Sequence, residues 1–280
     1  MIENCSIIIV SHNSEAFLKK NILCLVGQEK LPNEIIIVDS GSDCTEYIKK
    51  IINEVDLLKI KLICCENVGF SKANNIGIKN LPEGCTKVIF LNPDCFLSPN
   101  FIALYFFIEQ GYPNAGLITG KLEGYDILNN QNTGLLDSAG VFQKCYGRWY
   151  DRGRGEIDAG QYDMDDGQVV PAVCGALMLC QKSLIDLIIE SDGYFFNEDF
   201  FMYKEDIEIS LRIRKIGREL LYFSELVAQH CRGWDHDRSK MSRQARLLSA
   251  KNDLSIAVKF RQRGLLFVAV KYLVVLVFDI

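Results

Sequence analysis

The sequence predicts an α/β fold built on a parallel sheet with helices over both faces. Three observations carry that expectation. Short apolar runs at 7–10, 34–38, 61–64 and 87–91 are separated by longer segments with helical spacing. The runs are continuously apolar rather than alternating, which marks strands buried on both faces. The chain has 280 residues, 49% apolar and only 6 Pro, enough to bury a full core as one large domain or two small ones.

Each element has a local cause. Ile7-Ile8-Ile9-Val10 is the first strand. Residues 14–26 follow as a helix, with Phe17, Ile22 and Leu25 at helical spacing and Ser14 or Asn13 as N-cap. Residues 34–38 form the next strand and end at Asp39-Ser40-Gly41-Ser42. Residues 45–54 read as helix, 61–64 as strand, 70–80 as helix, 87–91 as strand and 100–109 as helix. The second half is less regular. Residues 120–166, rich in Gly, Asp, Arg and Tyr, read as loop, and the small apolar residues of 169–180 as strand. An aromatic run at 195–203 precedes a helix at 205–215, where Ile209, Ile213 and Ile216 share a face, Glu208 pairs with Arg212, and Gly217 closes the end. A last strand at 219–227 leads to His230.

Composition excludes a disordered chain, a collagen-like chain and a small disulfide scaffold. The formal net charge of −5 argues against a dedicated nucleic-acid binder. From His230 onward ten Lys/Arg face four Asp/Glu, a local +6, so the first 229 residues carry −11. The same basic segment ends in an apolar stretch, 264–280, interrupted by Lys271. That stretch is shorter than the ~20 residues of a spanning helix, which leaves a short span, an interfacial helix or a core helix. The asymmetry points to an anionic surface near the C-terminus. Eleven cysteines show no Cys-x-x-Cys spacing and adjacent Cys64 and Cys65, so reduced thiols are expected. The first five residues show neither a charged leader nor a cleavage site.

In parallel α/β sheets the ligand lies beyond the carboxyl ends of the strands. The turns found there are Ser11-His12-Asn13, Asp39-Ser40-Gly41-Ser42, Glu66-Asn67-Val68-Gly69-Phe70 and Asn92-Pro93-Asp94. None is a Gly-x-Gly-x-x-Gly or Walker loop, which weakens dinucleotide oxidoreductases and phosphate-loop ATPases. Asp94 reads equally as a metal-ligating carboxylate or as a turn former after Pro. Glu205-Asp206 reads as a general base or as acids favoured in a first helical turn. His230 reads as a metal ligand or a structural His, His12 as a nucleotide contact or a turn residue, and His236 as solvated. Asp39 reads as a base or ribose acceptor or as a turn former. The segment 148–155 mixes Arg with Trp149 and Tyr150, suited to gripping phosphate and stacking on sugar, or to a solvated loop.

Taken together and in order, these turns resemble the family-2 glycosyltransferases of GT-A fold. The resemblance runs from Ile7 to about Lys259. It includes Cys174-Gly175-Ala176, Phe200-Phe201-Met202-Tyr203-Lys204-Glu205-Asp206, 212–217 and His230. Asn-Pro-Asp and the segment 152–163 are most similar to a bacterial rhamnosyltransferase-like branch that builds O-antigens and other surface polysaccharides.

The resemblance implies a Rossmann-like nucleotide-binding sheet flanked by helices, with a C-terminal helical, partly apolar extension. Residues 1–118 would bind the nucleotide sugar, 119–235 would form the acceptor and catalytic half, and 236–280 the extension. It places Ser11, Asn13, Asp39, Asn67, Gly69, Asn74 and Asn92 around the nucleotide. Asp94 and His230 would hold Mg²⁺ or Mn²⁺, with Asn92 standing where relatives carry the first Asp of Asp-x-Asp. Asp206, beside Glu205, matches the base, and Trp149, Arg152, Arg154 and Tyr203 would meet the acceptor. The late segment reads His230-Cys231-Arg232-Gly233-Trp234 where many relatives have His-x-x-x-Ser. The implied reaction is inverting transfer from dTDP-rhamnose, or a UDP-hexose, to a polyprenyl-diphosphate-linked glycan. The implied setting is the inner face of the cell membrane, as a peripheral enzyme whose oligomeric state the resemblance leaves open. A sugar-phosphate nucleotidyltransferase is less favoured because its Gly-rich, Arg-containing first loop is missing. A non-catalytic membrane-peripheral binding protein has no need of both Asp94 and Asp206.

Overall fold

The computed structural model describes residues 4–232, 242–262 and 264–278. Residues 1–3, the Gly233-Trp234 pair, His236 with its flanking charges, and 279–280 lie outside the described residues. The first half follows the expected alternation to within a few residues: β1 (Cys5–Ser11), α1 (Glu15–Val26), β2 (Glu34–Ser40), α2 (Glu46–Asn53), β3 (Ile60–Cys65), α3 (Gly69–Lys79), β4 (Lys87–Leu91), β5 (Cys95–Leu97) and α4 (Phe101–Gly111). Ser14 occupies the N-cap position of α1, but its hydroxyl does not cap the helix. It is held at 3.3 Å by the backbone N–H and carbonyl of His12 instead.

Strands β1, β2, β3 and β4 are parallel, with Ile7 opposite Ile35 and Ser11 opposite Asp39. Successive residues point to opposite faces. Ile7, Ile9, Ile35 and Ile37 join Leu18, Ile22, Ile48 and Phe101 in one core layer. Ile8, Ile36, Val38 and Phe90 join Ala73, Ile185, Ile209 and Ile213 in the other. This two-sided burial explains the unbroken apolar runs.

The second half departs from the reading in three ways. Residues 120–166 are not simply loop. They hold most of β6 (Ile118–Asp126), all of β7 (Gln131–Ser138), and a small hairpin of β8 (Val141–Gln143) and β9 (Trp149–Asp151). The first half of β7 is exposed, so it carries no apolar signal. At Gly120 a Cβ would stand 1.8 Å from the Leu226 carbonyl oxygen, so a strand residue there must be Gly. Residues 169–180 are two strands, β10 (Gln168–Val169) and β11 (Leu177–Gln181), joined by an irregular segment of small residues. The helix α5 (Lys182–Asp192), closed by Gly193 at φ +84°, had no sequence reading.

After α6 (Glu205–Lys215) comes β12 (Leu221–His230). Ile209 and Ile213 are fully buried, whereas Ile216 lies past the helix end and is 46% exposed. The sheet is mixed rather than all parallel, in the order β10-β12-β6-β11-β4-β1-β2-β3, with β5 on β12 and β7 on β6. β11 runs antiparallel to β4. It reaches β4 from the irregular half of the chain rather than through a helical crossover, so nothing imposes a parallel pairing.

The chain ends in α7 (Arg243–Lys259) and α8 (Leu265–Phe278). Among the described residues no helix is long and apolar enough to cross a membrane. All eleven cysteines are free thiols, as expected.

Candidate active site

The parallel strands bring their carboxyl ends to one edge, and β4 continues there into Asn92-Pro93-Asp94. That turn is pinned from three sides. The Asn21 amide donates to the carbonyls of Asn92 (3.1 Å) and Cys95 (2.6 Å). Asn92 N–H donates to the Ala176 carbonyl, and Cys231 N–H to the Asp94 carbonyl, both at 3.0 Å. Pairing of β5 with β12 sets Cys95 opposite His230, which carries the His beside the turn.

His230 Nε2 lies 3.3 Å from Asp94 Oδ1, and its Nδ1 lies 2.8 Å from Asp137 Oδ2. Arg232 then bridges Asp137 and Asp151, each at 2.8 Å. Burial works against these charges, but their neighbours outweigh it. Asp94 and Asp137 raise His230 to about 9. His230 and Arg232 hold both Asp94 and Asp137 below the usual carboxylate range. Two groups that could serve a divalent ion face each other here, the Asp94 carboxylate and the His230 imidazole Nε2, with Asp137 on Nδ1; among the described residues no cluster of three or more His, Cys, Asp or Glu is placed to hold a metal. A proton on Nε2 supplies the positive charge that such an ion would bring.

Glu205 and Asp206 open α6. Asp206 Oδ2 accepts the Gly175 N–H at 2.9 Å, and Oδ1 accepts the Ile207 N–H at 2.8 Å. A Cβ at Gly175 would crowd Asp206 Cβ at 3.2 Å, so a glycine there admits the close backbone contact. Glu205 is buried, and its Oε2 has no partner among the described residues. Burial, followed by the Asp206 charge, pushes Glu205 up to about 8. Burial raises Asp206 as well, against the pull of Lys204 and the two backbone N–H groups. Burial thus favours a proton on Glu205, while Asp206, next to Lys204 and holding two backbone N–H donors, is the better placed of the two to act as a base.

One cavity of about 1050 Å³ gathers Asn92, Asp94, His230, Glu205 and Asp206, together with Trp149, Arg154 and Tyr203. Arg152 is not brought there. Its guanidinium lies 4.6 Å from the Phe142 ring centre and 4.7 Å from that of Tyr162, and its Nε–H donates to the Ala139 carbonyl. The remaining nucleotide candidates do not line the cavity. Ser11 Oγ meets the Tyr47 hydroxyl at 3.0 Å, Asn13 pairs with Asp43, and Asp39 accepts from Ser42. Asn67 Oδ1 accepts the Gly69 N–H, and Asn74 donates to the Phe70 carbonyl within its helix. Gly69 has φ +79°, and a Cβ there would stand 2.3 Å from the Phe201 carbonyl oxygen, so its role is backbone fit.

Sequence reading missed Asp137, Asp151 and the wall that α8 supplies through Phe267, Val270, Val274 and Val275. Arg232 stood only two residues past His230, which was the available signal.

A family model described as "Glycosyl transferase family 2" matches residues 6–120. The chain is 33% identical over 136 residues to "Minor teichoic acid biosynthesis protein GgaA" of Bacillus subtilis, covering 45% of this chain but 30% of that one. It is 26% identical over 249 residues to "Low-salt glycan biosynthesis hexosyltransferase Agl10" of Haloferax volcanii, covering 88% of this chain and 73% of that one. Among solved structures, GalNAc-T7 with UDP, GalNAc and Mn²⁺ superposes with a TM-score of 0.69 at 16% identity, over 91% of this chain and 48% of that one. The mannosyltransferase PcManGT of Pyrobaculum calidifontis, with GDP-Man and Mn²⁺, gives 0.60 at 15% identity, over 91% and 64%. The fold is shared with these structures.

Proposed function

We propose, from the match of residues 6–120 to the glycosyl transferase family 2 model, that the chain transfers a sugar from a nucleotide-sugar donor with inversion. The observation that carries the reading is the convergence in one cavity of the Asp94–His230 pair and Asp206. A divalent ion held by Asp94 and His230, Mg²⁺ or Mn²⁺, would supply charge neutralisation at the leaving diphosphate. Asp206 takes the proton from the acceptor hydroxyl. The freed oxygen attacks the anomeric carbon on the face opposite the leaving group. The bond to the diphosphate breaks, and its electron pair departs on the nucleoside diphosphate oxygen. Glu205, neutral, leaves Asp206 as the single base. Trp149 and Tyr203 offer ring faces to the acceptor, and Arg154 adds a cation.

Names of the relatives favour a hexose donor, so UDP-hexose stands ahead of dTDP-rhamnose. They also support an acceptor in surface polysaccharide or lipid-linked glycan synthesis. A panel of UDP-, GDP- and dTDP-sugars with Mn²⁺, read by mass spectrometry for product and free nucleotide, is expected to give turnover with one donor class. No turnover or hydrolysis with any donor would sink the reading.

We further place the protein at the inner membrane face through α8. Leu266 is 79% exposed and Val277 66%, on a helix whose single charge, Lys271, is paired with Asp253. The basic side chains of Arg243 and Lys251 stand in the groove between α7 and α8. The protein is expected to float with phosphatidylglycerol vesicles, and the triple change Leu266→Glu, Leu273→Glu, Val277→Glu to abolish flotation. Undiminished flotation of that variant removes α8 as the anchor.

A further inference from the structure

The turn that delivers Glu205 and Asp206 is held in a conformation that L residues rarely adopt. Tyr203 and Lys204 both have φ +71° immediately before α6. Such a pair persists only where surrounding groups enforce it. The carbonyls of this turn are captured in sequence. Phe201 O accepts the Phe70 N–H from α3 at 2.7 Å. Met202 O and Tyr203 O both accept from the single Asn252 amide of α7, at 3.0 and 2.8 Å. Lys204 O then accepts the Glu208 N–H as the first bond of α6. Asn252 is 2% exposed, so its two N–H groups have no water to fall back on. Its neighbour Asp253 meets Lys204 at 3.8 Å and pairs with Lys271 of α8.

We propose that Asn252 is a positioning residue for the transfer reaction. By clamping the carbonyls of Met202 and Tyr203 it keeps the left-handed pair in place and aims Asp206 at the acceptor, which makes α7 a working part of the catalytic site. The proposal rests on the assignment of Asp206 as base and adds a residue to it. Aiming a base requires sub-ångström precision, and misplacement by about 1 Å costs on the order of 100-fold in rate.

Asn252→Asp tests it. The carboxylate keeps the size of the amide but cannot donate, and it turns two attractive contacts into repulsive ones. This variant and Asn252→Ala are expected to lower kcat by about 10- to 100-fold, with donor KM and Mn²⁺ binding close to those of the parent; the thermal midpoint falls in both, more in Asn252→Asp, because a buried group loses its partner. Amide hydrogen exchange should rise at 201–206 and stay unchanged across β1–β4. Lys259→Met, which cuts another α7 contact (Lys259 to Glu208, 2.6 Å), should leave kcat unchanged. Parental kcat and unchanged exchange at 201–206 in Asn252→Asp would overturn the proposal. So would a loss of kcat matched by lost Mn²⁺ binding and exchange rising over the whole sheet, since that marks a general structural role. An equal loss in Lys259→Met would likewise assign the effect to helix docking. The exchange readout does not depend on finding a donor, so failure here is separable from failure of the transferase reading.

Discussion

Asp206→Asn is expected to cut glycosyl transfer by about 10²- to 10⁴-fold, the usual weight of a positioned general base, while Mn²⁺ and nucleotide binding stay intact. The substitution keeps the shape of the side chain, and an amide oxygen still accepts the Gly175 N–H that now ends on Oδ2 at 2.9 Å. What it removes is the capacity to take a proton. The sign of the pH dependence follows from the same geometry. Burial raises Asp206 as well as Glu205, so the base is inactive while protonated. The wild-type rate should therefore climb with pH through a transition above the ordinary carboxylate range, and this limb should be missing from the residual rate of Asp206→Asn. The measurement is a kcat profile beside a Mn²⁺ titration of each protein. Wild-type turnover by the variant would refute the base assignment.

Asp94→Ala is expected to remove Mn²⁺ binding and transfer together. A divalent ion contributes several kcal/mol of transition-state stabilisation at the diphosphate, about 10²- to 10⁴-fold in rate. In the variant His230 keeps only Asp137 as its carboxylate partner, and one of the two oxygen–nitrogen donors is gone. Asp137→Asn makes a graded companion. It leaves both inner donors but loses the carboxylate that fixes the imidazole at 2.8 Å, and a loss of about 10- to 100-fold in metal affinity is expected. Calorimetric titration with Mn²⁺ reads both. Full metal-independent activity in Asp94→Ala would dispose of the metal pair.

Legibility of the chain tracked how strongly each segment is buried. The strands through Ile8 and Ile36 announce themselves because both faces are covered. The strand at Gln131–Ser138 did not, because half of it faces water and its partner strand needs Gly120 rather than an apolar residue. Of the site, Asp94 and His230 could be read because each ends a buried strand, where a polar residue stands out. Asp137 could not, since it sits in a segment with no periodicity and becomes meaningful only once it touches His230. Arg152 misled for the opposite reason: its sequence company of Trp149 and Tyr150 suggested sugar binding, whereas three-dimensional packing gives its guanidinium to Phe142 and Tyr162. Asn252 carried no signal at all, because its partners are backbone carbonyls fifty residues away.

The pairing of β5 with β12 also sets an order of events during folding. Cys95 meets His230, 135 positions further along the chain, so the loop that closes the Asp94–His230 pair is among the longest in the molecule. Contacts of that separation form late. A growing chain can pair the four parallel strands and cover one face with α1, α2 and α4, while the second face still awaits α5 and α6 and the Asp94–His230 pair does not yet exist. The Asp94–His230 pairing is thus a property of the assembled sheet, made when β12 docks on β5.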